Sequence, residues 1–174
     1  FVMALATNIK PTKTFGVRRM PTPAERVEVE KLVTAEFAKN KVAVKTLRSH
    51  NLTALDVDND GKIEFVGTYW VATSANERAM LFFIADMVRG RKLSFSHSEF
   101  EKVDKEGVMS GEIKHLDEGI YHELLLDVLD YNDDGVAEIF TYTQAFEGAS
   151  FYVYQRNEGT WERVLETSNY HCGY

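Results

Sequence analysis

Part of this chain occurs twice, and that repetition narrows its possible folds more than any other feature. Residues 55–70 read LDVDNDGKIEFVGTYW and residues 129–144 read LDYNDDGVAEIFTYTQ. Laid over one another at an offset of 74 residues, they share carboxylates, a glycine and the flanking apolar positions. The likeness continues downstream, where LFFIADMVRG corresponds to FYVYQRNEG and FEKV (Phe100 to Val103) to WERV (Trp161 to Val164). Internal similarity of this kind marks one supersecondary unit used twice. Both copies consist of short runs rich in Val, Ile, Phe, Tyr and Thr, bounded by Gly, Asn and Asp, which is the pattern of strands and hairpins. Each unit therefore reads strand, acidic loop, strand, turn, strand, turn, strand.

One helix precedes the units. In MPTPAERVEVEKLVTAEFAKNK, Thr22 is placed to cap, Pro23 to open the first turn and Glu25 to face the positive end of the helix dipole. Val29, Leu32, Val33, Glu36 and Phe37 form a stripe at helical spacing, apolar except at Glu36, and Asn40 or Lys41 ends it. The expected class is mainly β (α+β): an antiparallel β-sheet domain of two similar units with one N-terminal amphipathic helix. The boundaries follow within a single domain, 1–174: an N-terminal strand and linker (1–21), the helix (22–40), the first repeat (47–103), a connector (104–119) and the second repeat (120–174). A length of 174 residues with 44% hydrophobic content suits one well-packed domain and is short for two.

The acidic loops carry the chemistry. Both follow Asp-x-[Asp/Asn]-x-Asp-Gly-x-x-Glu, as Asp56, Asp58, Asp60, Gly61, Glu64 and as Asp130, Asn132, Asp134, Gly135, Glu138. Like charges this close repel unless a cation sits among them. Alternate positions of a tight loop can turn their oxygens to one centre, glycine permits the bend, and the later Glu closes the shell. So many hard oxygen donors select Ca²⁺ over softer transition metals, giving two expected sites. The competing reading is a solvated turn rich in Asp and Asn; two copies in register, with matched strands after each, favour the ion. An EF-hand is excluded, because its twelfth position needs a bidentate Glu where this chain has Gly67 and Thr141, and because both flanks are strand-like.

LDVDNDGKIEFV and LDYNDDGVAEIF resemble the calcium-binding hairpin loops of FG-GAP and VCBS-type repeats, the modules of integrin α-subunit propellers and of many secreted bacterial proteins. The resemblance covers the loops and flanking strands, about a third of the chain. It implies ligands at the first, third, fifth and ninth loop positions and a backbone carbonyl at the seventh. In this sequence these are Asp56, Asp58, Asp60, Lys62 (carbonyl) and Glu64, and Asp130, Asn132, Asp134, Val136 (carbonyl) and Glu138. Two units are too few for that family's propeller, and the helix lies outside its module. With Asn132 replacing a carboxylate, the second loop is the weaker site if all else is equal.

A net charge of −7 argues against nucleic acid and anionic membrane surfaces as partners, and no apolar run reaches the length of a membrane span. The longest, AMLFFIADMV, reads as a buried strand. No nucleophile elbow, phosphate-binding glycine loop or His-Glu-x-x-His is present, and the chain reads as non-enzymatic. The five histidines, His50, His97, His115, His122 and His171, are scattered and read as surface or strand-end residues; His171 and its neighbour Cys172 would point to opposite faces of a strand. Cys172 is the single cysteine, so no internal disulfide forms. Aromatic residues crowd the second unit, at Tyr142, Phe146, Phe151, Tyr152, Tyr154, Trp161, Tyr170 and Tyr174, mostly as expected core and cross-strand pairs, with a glycan platform as the other use. Asn51-Leu52-Thr53 is a glycosylation sequon.

The chain opens on Phe1 rather than Met, and FVMALA is compatible with the tail of a signal peptide; a processed chain points to an extracellular protein. FVMALATNI (residues 1–9) alternates large and small residues and reads as a strand, followed by a linker rich in Pro, Thr and Lys. That strand either joins its own sheet or completes the sheet of a neighbouring copy. Head-to-tail insertion would be a heterologous contact and would build an open filament. The expected function is a secreted, calcium-stiffened structural subunit of a fibre that self-associates through residues 1–9. The alternative is a carbohydrate- or protein-binding adhesion module of a larger secreted protein.

Overall fold

The structure is a computed structural model that describes residues 5–10, 13, 15, 17–88, 92–108, 115–145 and 148–170. The helix forms where expected, as α1, Pro23–Lys39. Thr22 Oγ1 accepts the backbone N–H of Glu25 at 3.3 Å, and the Glu25 carboxylate accepts that of Thr22 at 2.7 Å, so two of the unsatisfied donors at the helix start are met reciprocally. Arg19 holds the same carboxylate through two 2.7 Å contacts. Val29, Val33 and Phe37, each four residues after the last, are fully buried. Asn40 closes the helix, and Lys41 turns the chain away at φ 59°.

Two antiparallel sheets follow. The first has the order β1 (Val17–Arg19), β2 (Arg48–Asp56), β3 (Glu64–Ser74), β4 (Glu77–Val88), β5 (Lys92–Asp104). The second has the order β6 (Leu124–Leu129), β7 (Glu138–Gln144), β8 (Gly148–Asn157), β9 (Thr160–Tyr170). The two units expected from the repeat are thus two four-stranded meanders, β2 to β5 and β6 to β9. Over the described residues the fold is mainly β with one α-helix, as the patterning predicts. The connector carries a 3-10 turn at Leu116–Glu118, and Val108 and Ile120 bury themselves against Met80.

The first sheet is the middle of three layers. Leu52, Phe65, Tyr69, Leu81 and Phe83 pack with α1, and the alternate positions Leu55, Val66, Phe82 and Ile84 pack with Ile139, Tyr154 and Trp161 of the second sheet. A strand covered on both faces has no polar side, which is why β4 supplies the longest apolar run in the chain. Gly67 is needed here because a Cβ would lie 2.8 Å from Leu52 Cδ1 and 3.1 Å from the ring of Phe83.

At the N-terminus the expectation fails over the described residues. Residues 5–9 form no strand, and residues 1–4 lie outside the described residues. Strand forms instead inside the expected linker, where β1 pairs Val17 with Asp56, Arg18 with Leu55 and Arg19 with Ala54. Alternation supplies a face but no partner, whereas β1 is held by the open edge of β2 through its backbone. His171, Cys172, Phe146 and Tyr174 also lie outside the described residues. None of the described helices is long and apolar enough to cross a membrane.

Candidate metal centres

Both acidic loops have the backbone that their sequence demands. Asn59 and Asp133 take φ 58° and 61°, and Gly61 and Gly135 take φ 79° and 92°, so equivalent positions turn the same way in both copies. Asn, Asp and Gly are the residues that enter this region at least cost.

In the first loop, between β2 and β3, Asp56 and Glu64 are buried at 6% and 3% exposure, and Asp58 and Asp60 reach outward. Carboxylate oxygens cap the loop's own N–H groups. Asp56 Oδ2 takes Gly61 N at 3.1 Å, Asp58 Oδ1 takes Asp60 N at 3.1 Å, Asp60 Oδ1 takes Lys62 N at 2.7 Å, and Glu64 Oε2 takes Val57 N at 3.1 Å. The Lys62 ammonium also pairs with Asp60, holding that carboxyl below its ordinary range. One oxygen each from Asp56, Asp58 and Asp60 lies within 4.8 Å of the others. Oxygens bound to one Ca²⁺ at roughly 2.3–2.6 Å span such distances. Asp56 Oδ1 is buried with no hydrogen-bond partner. Burial pushes Glu64 up to about 7.

The second loop, between β6 and β7, repeats this scheme with one change. Asp130 and Glu138 are buried at 3% and 1% exposure. Asp130 accepts Asp134 N at 3.1 Å and Gly135 N at 2.9 Å, Asp134 accepts Val136 N at 2.8 Å, and Glu138 accepts Tyr131 N at 3.1 Å. Asn132 donates its amide to Asp134 and to Glu138, both at 2.9 Å, so a neutral group links two carboxylates here. Glu138 is likewise raised by burial.

The loops are neighbours: Ala137 N donates to Val57 O at 2.7 Å, and Val57, Val136 and Ala137 share the apolar cluster between the sheets. The two loops are therefore adjacent and joined by a backbone hydrogen bond, and among the described residues the expected ligands brought within ligand-compatible distance of one another are Asp56, Asp58 and Asp60, whereas Asp130, Asp134 and Glu138 form no such cluster. The Asp56, Asp58 and Asp60 cluster can hold a metal ion.

Other groups between the sheets were not anticipated. Arg156 of β8 enters the first loop, with Nη1 3.0 Å from Asp58 and Nη2 3.3 Å from both Glu64 and Asp86. Glu123 is partly buried, with Thr141 at 2.5 Å and Tyr154 at 2.8 Å donating to it and Arg163 at 3.8 Å; desolvation raises Glu123 and Tyr154 alike. His97 contacts the Trp161 carbonyl at 3.1 Å and Glu99 at 3.0 Å, and His50 stacks on His122 at 4.4 Å. Three histidines expected at surfaces or strand ends thus take part in contacts between segments. The sequon residue Asn51 accepts Thr68 N at 3.0 Å beside a bulge in β2.

The fold and loops define a two-sheet β domain with an acidic cluster able to hold a metal ion. No family model, curated protein or solved structure matches the chain.

Proposed function

We propose that this chain is a non-enzymatic, extracellular calcium-binding structural protein. Two Ca²⁺ ions would brace the paired acidic loops, through Asp56, Asp58, Asp60, Lys62 carbonyl and Glu64, and through Asp130, Asn132, Asp134, Val136 carbonyl and Glu138. The supporting observation is Asp56 Oδ1, a buried carboxylate oxygen that lacks a donor and lies in a cluster of ligand-compatible dimensions. Metal binding of this kind becomes folding free energy, because the unfolded chain has no assembled site. At about 100 times Kd, each site adds roughly 2.7 kcal/mol.

The same reading makes the chain a fibre subunit that self-associates through residues 1–9. Residues 5–9 belong to neither sheet, and 6–9 are exposed, which keeps them available to a neighbour. The alternative is an adhesion module for a glycan or protein. It is favoured by an open groove of about 320 Å³ beside the first loop, with Arg156, Ser94, Phe95 and Thr160 among its lining residues.

Thermal unfolding and light scattering, in calcium and in chelator, test these readings on the full chain and on a chain lacking residues 1–9. A higher melting temperature in calcium, with large assemblies only at full length, supports the fibre subunit. A calcium-dependent monomer in both chains supports the adhesion module. Identical unfolding in calcium and chelator overturns the calcium reading.

A further inference from the structure

We infer that Arg156 is a resident counter-ion of the first loop that the metal must displace, so that filling this site also resets a contact between the two sheets. This rests on the calcium reading above and adds to it how one of the two sites is regulated.

Arg156 belongs to β8 of the second sheet, and its three acidic partners belong to the first. Nη1 is 3.0 Å from Asp58, and Nη2 is 3.3 Å from Glu64 and 3.3 Å from Asp86. Two of these carboxylates are proposed ligands and the third is not. The guanidinium also lies 5.1 Å from the centre of the Trp161 ring, and Trp161 Nε1 donates to Asp86 at 3.4 Å. Arginine and metal therefore want the same oxygens of Asp58 and Glu64. The divalent ion brings twice the charge and needs several oxygens at coordination distance. A guanidinium left on those oxygens would face it at short range in a partly buried site, where repulsion is weakly screened. Arrival of the ion therefore strips Arg156 of Asp58 and Glu64 and leaves Asp86, outside the ligand set, as its anchor.

The second loop has a different neighbour: Lys13 Nζ lies beside Gly135, 2.8 Å from where a Cβ on that glycine would stand. The amide of Asn132 bridges Asp134 and Glu138, and among the described residues no guanidinium enters that loop. Ligand charge alone ranks the first loop as the tighter site. Displacement of Arg156 works against that ranking at the first loop.

Calcium titration calorimetry of the full chain tests this with Arg156→Gln and Arg156→Lys. Asp56→Asn and Asp130→Asn assign the two binding events. Hydrogen bonds to charged groups are worth about 1.5–3 kcal/mol, so Arg156→Gln should tighten the first-loop site by about tenfold or more and leave the second unchanged. Arg156→Lys, which keeps one charge but loses the fork, should tighten it less. In a Trp70→Phe background Trp161 is the single tryptophan, and its emission should shift as the first loop fills, but not in the Arg156→Gln chain. Weaker or unchanged first-loop affinity in Arg156→Gln, with a normal cooperative melt in chelator, overturns the inference while leaving the calcium reading intact. If Arg156→Gln does not fold, unchanged affinity in Arg156→Lys does the same. Absence of calcium binding by the wild-type chain overturns both.

Discussion

Asp56 and Asp130 open their loops at equivalent positions, and each gives one oxygen to the N–H of the following glycine, at 3.1 Å and 2.9 Å, while the other oxygen of Asp130 accepts Asp134 N–H and that of Asp56 has no donor. Asparagine at either position keeps an acceptor for that N–H and removes the negative charge. Asp56→Asn and Asp130→Asn should therefore melt within a few degrees of wild type in chelator, and each should lose about half of the stabilisation that saturating calcium confers, a difference that calorimetry in both buffers reads directly. The two substitutions together should abolish it. The clustering of Asp56, Asp58 and Asp60 was legible because all three belong to one short loop, where spacing along the chain is spacing in space. Arg156 was not, because its partners Asp58 and Glu64 stand 98 and 92 positions away and only the packing of two sheets joins them. Glu123 was hidden for the same reason: nothing near it in sequence shows that Tyr154 and Thr141 will enclose it.

At the scale of elements, α1 was legible to its ends, since a capping box and a period-four apolar stripe are local signals. Glu25 is drawn down to about 2, chiefly by its hydrogen bond to Arg19, with Thr22 adding to it. The unfolded carboxylate keeps its ordinary value near 4.5, so between that pH and about 2 the unfolded chain binds more protons than the folded one. The contribution of Glu25 is then full above about 4.5 and declines as pH falls toward 2. Glu25→Gln should cost about 1 kcal/mol at neutral pH and remove that part of the acid loss, measured by urea unfolding from pH 7 to 2.5. In β3, Gly67→Ala drives a methyl toward Leu52, the Asn51 carbonyl and Phe83, and should cost about 1–3 kcal/mol in the same assay without altering calcium affinity. Strand β1 was not legible, because three residues paired only by backbone leave no side-chain period. Residues 5–9 misled for the converse reason: large and small residues alternate, but a pattern of faces makes a strand only where a partner edge receives it.

For the whole molecule, the repeat announced two similar sheets but not how they stack, and the junctions between them hold several of the described titratable groups that are withdrawn from solvent. At one junction His122, just ahead of β6, stacks on His50 of β2 at 4.4 Å, with the Trp70 ring of β3 at 6.2 Å. Arg48 and Arg78 lie over that tryptophan, and Asp117, which pairs with Arg78 at 2.7 Å, is the carboxylate acting on His122. Burial first, and the neighbouring His50 second, push His122 down to about 4 from its ordinary 6.5. The native junction thus prefers neutral His122, whereas the unfolded chain protonates it near pH 6.5. Stability from this group is complete above that pH and drains away as pH falls toward 4, below which both states are protonated and the loss stops. The loss should be on the order of 2 kcal/mol, because each tenfold change in proton affinity is worth about 1.4 kcal/mol and solvent reaches part of the half-buried ring. His122→Phe keeps a flat ring against His50 and cannot titrate, so its stability should stay flat across that window while wild type falls. Equal slopes for the two chains between pH 6.5 and 4, in chelator so that the acidic loops bind no metal in either, would place the acid sensitivity elsewhere than at this junction.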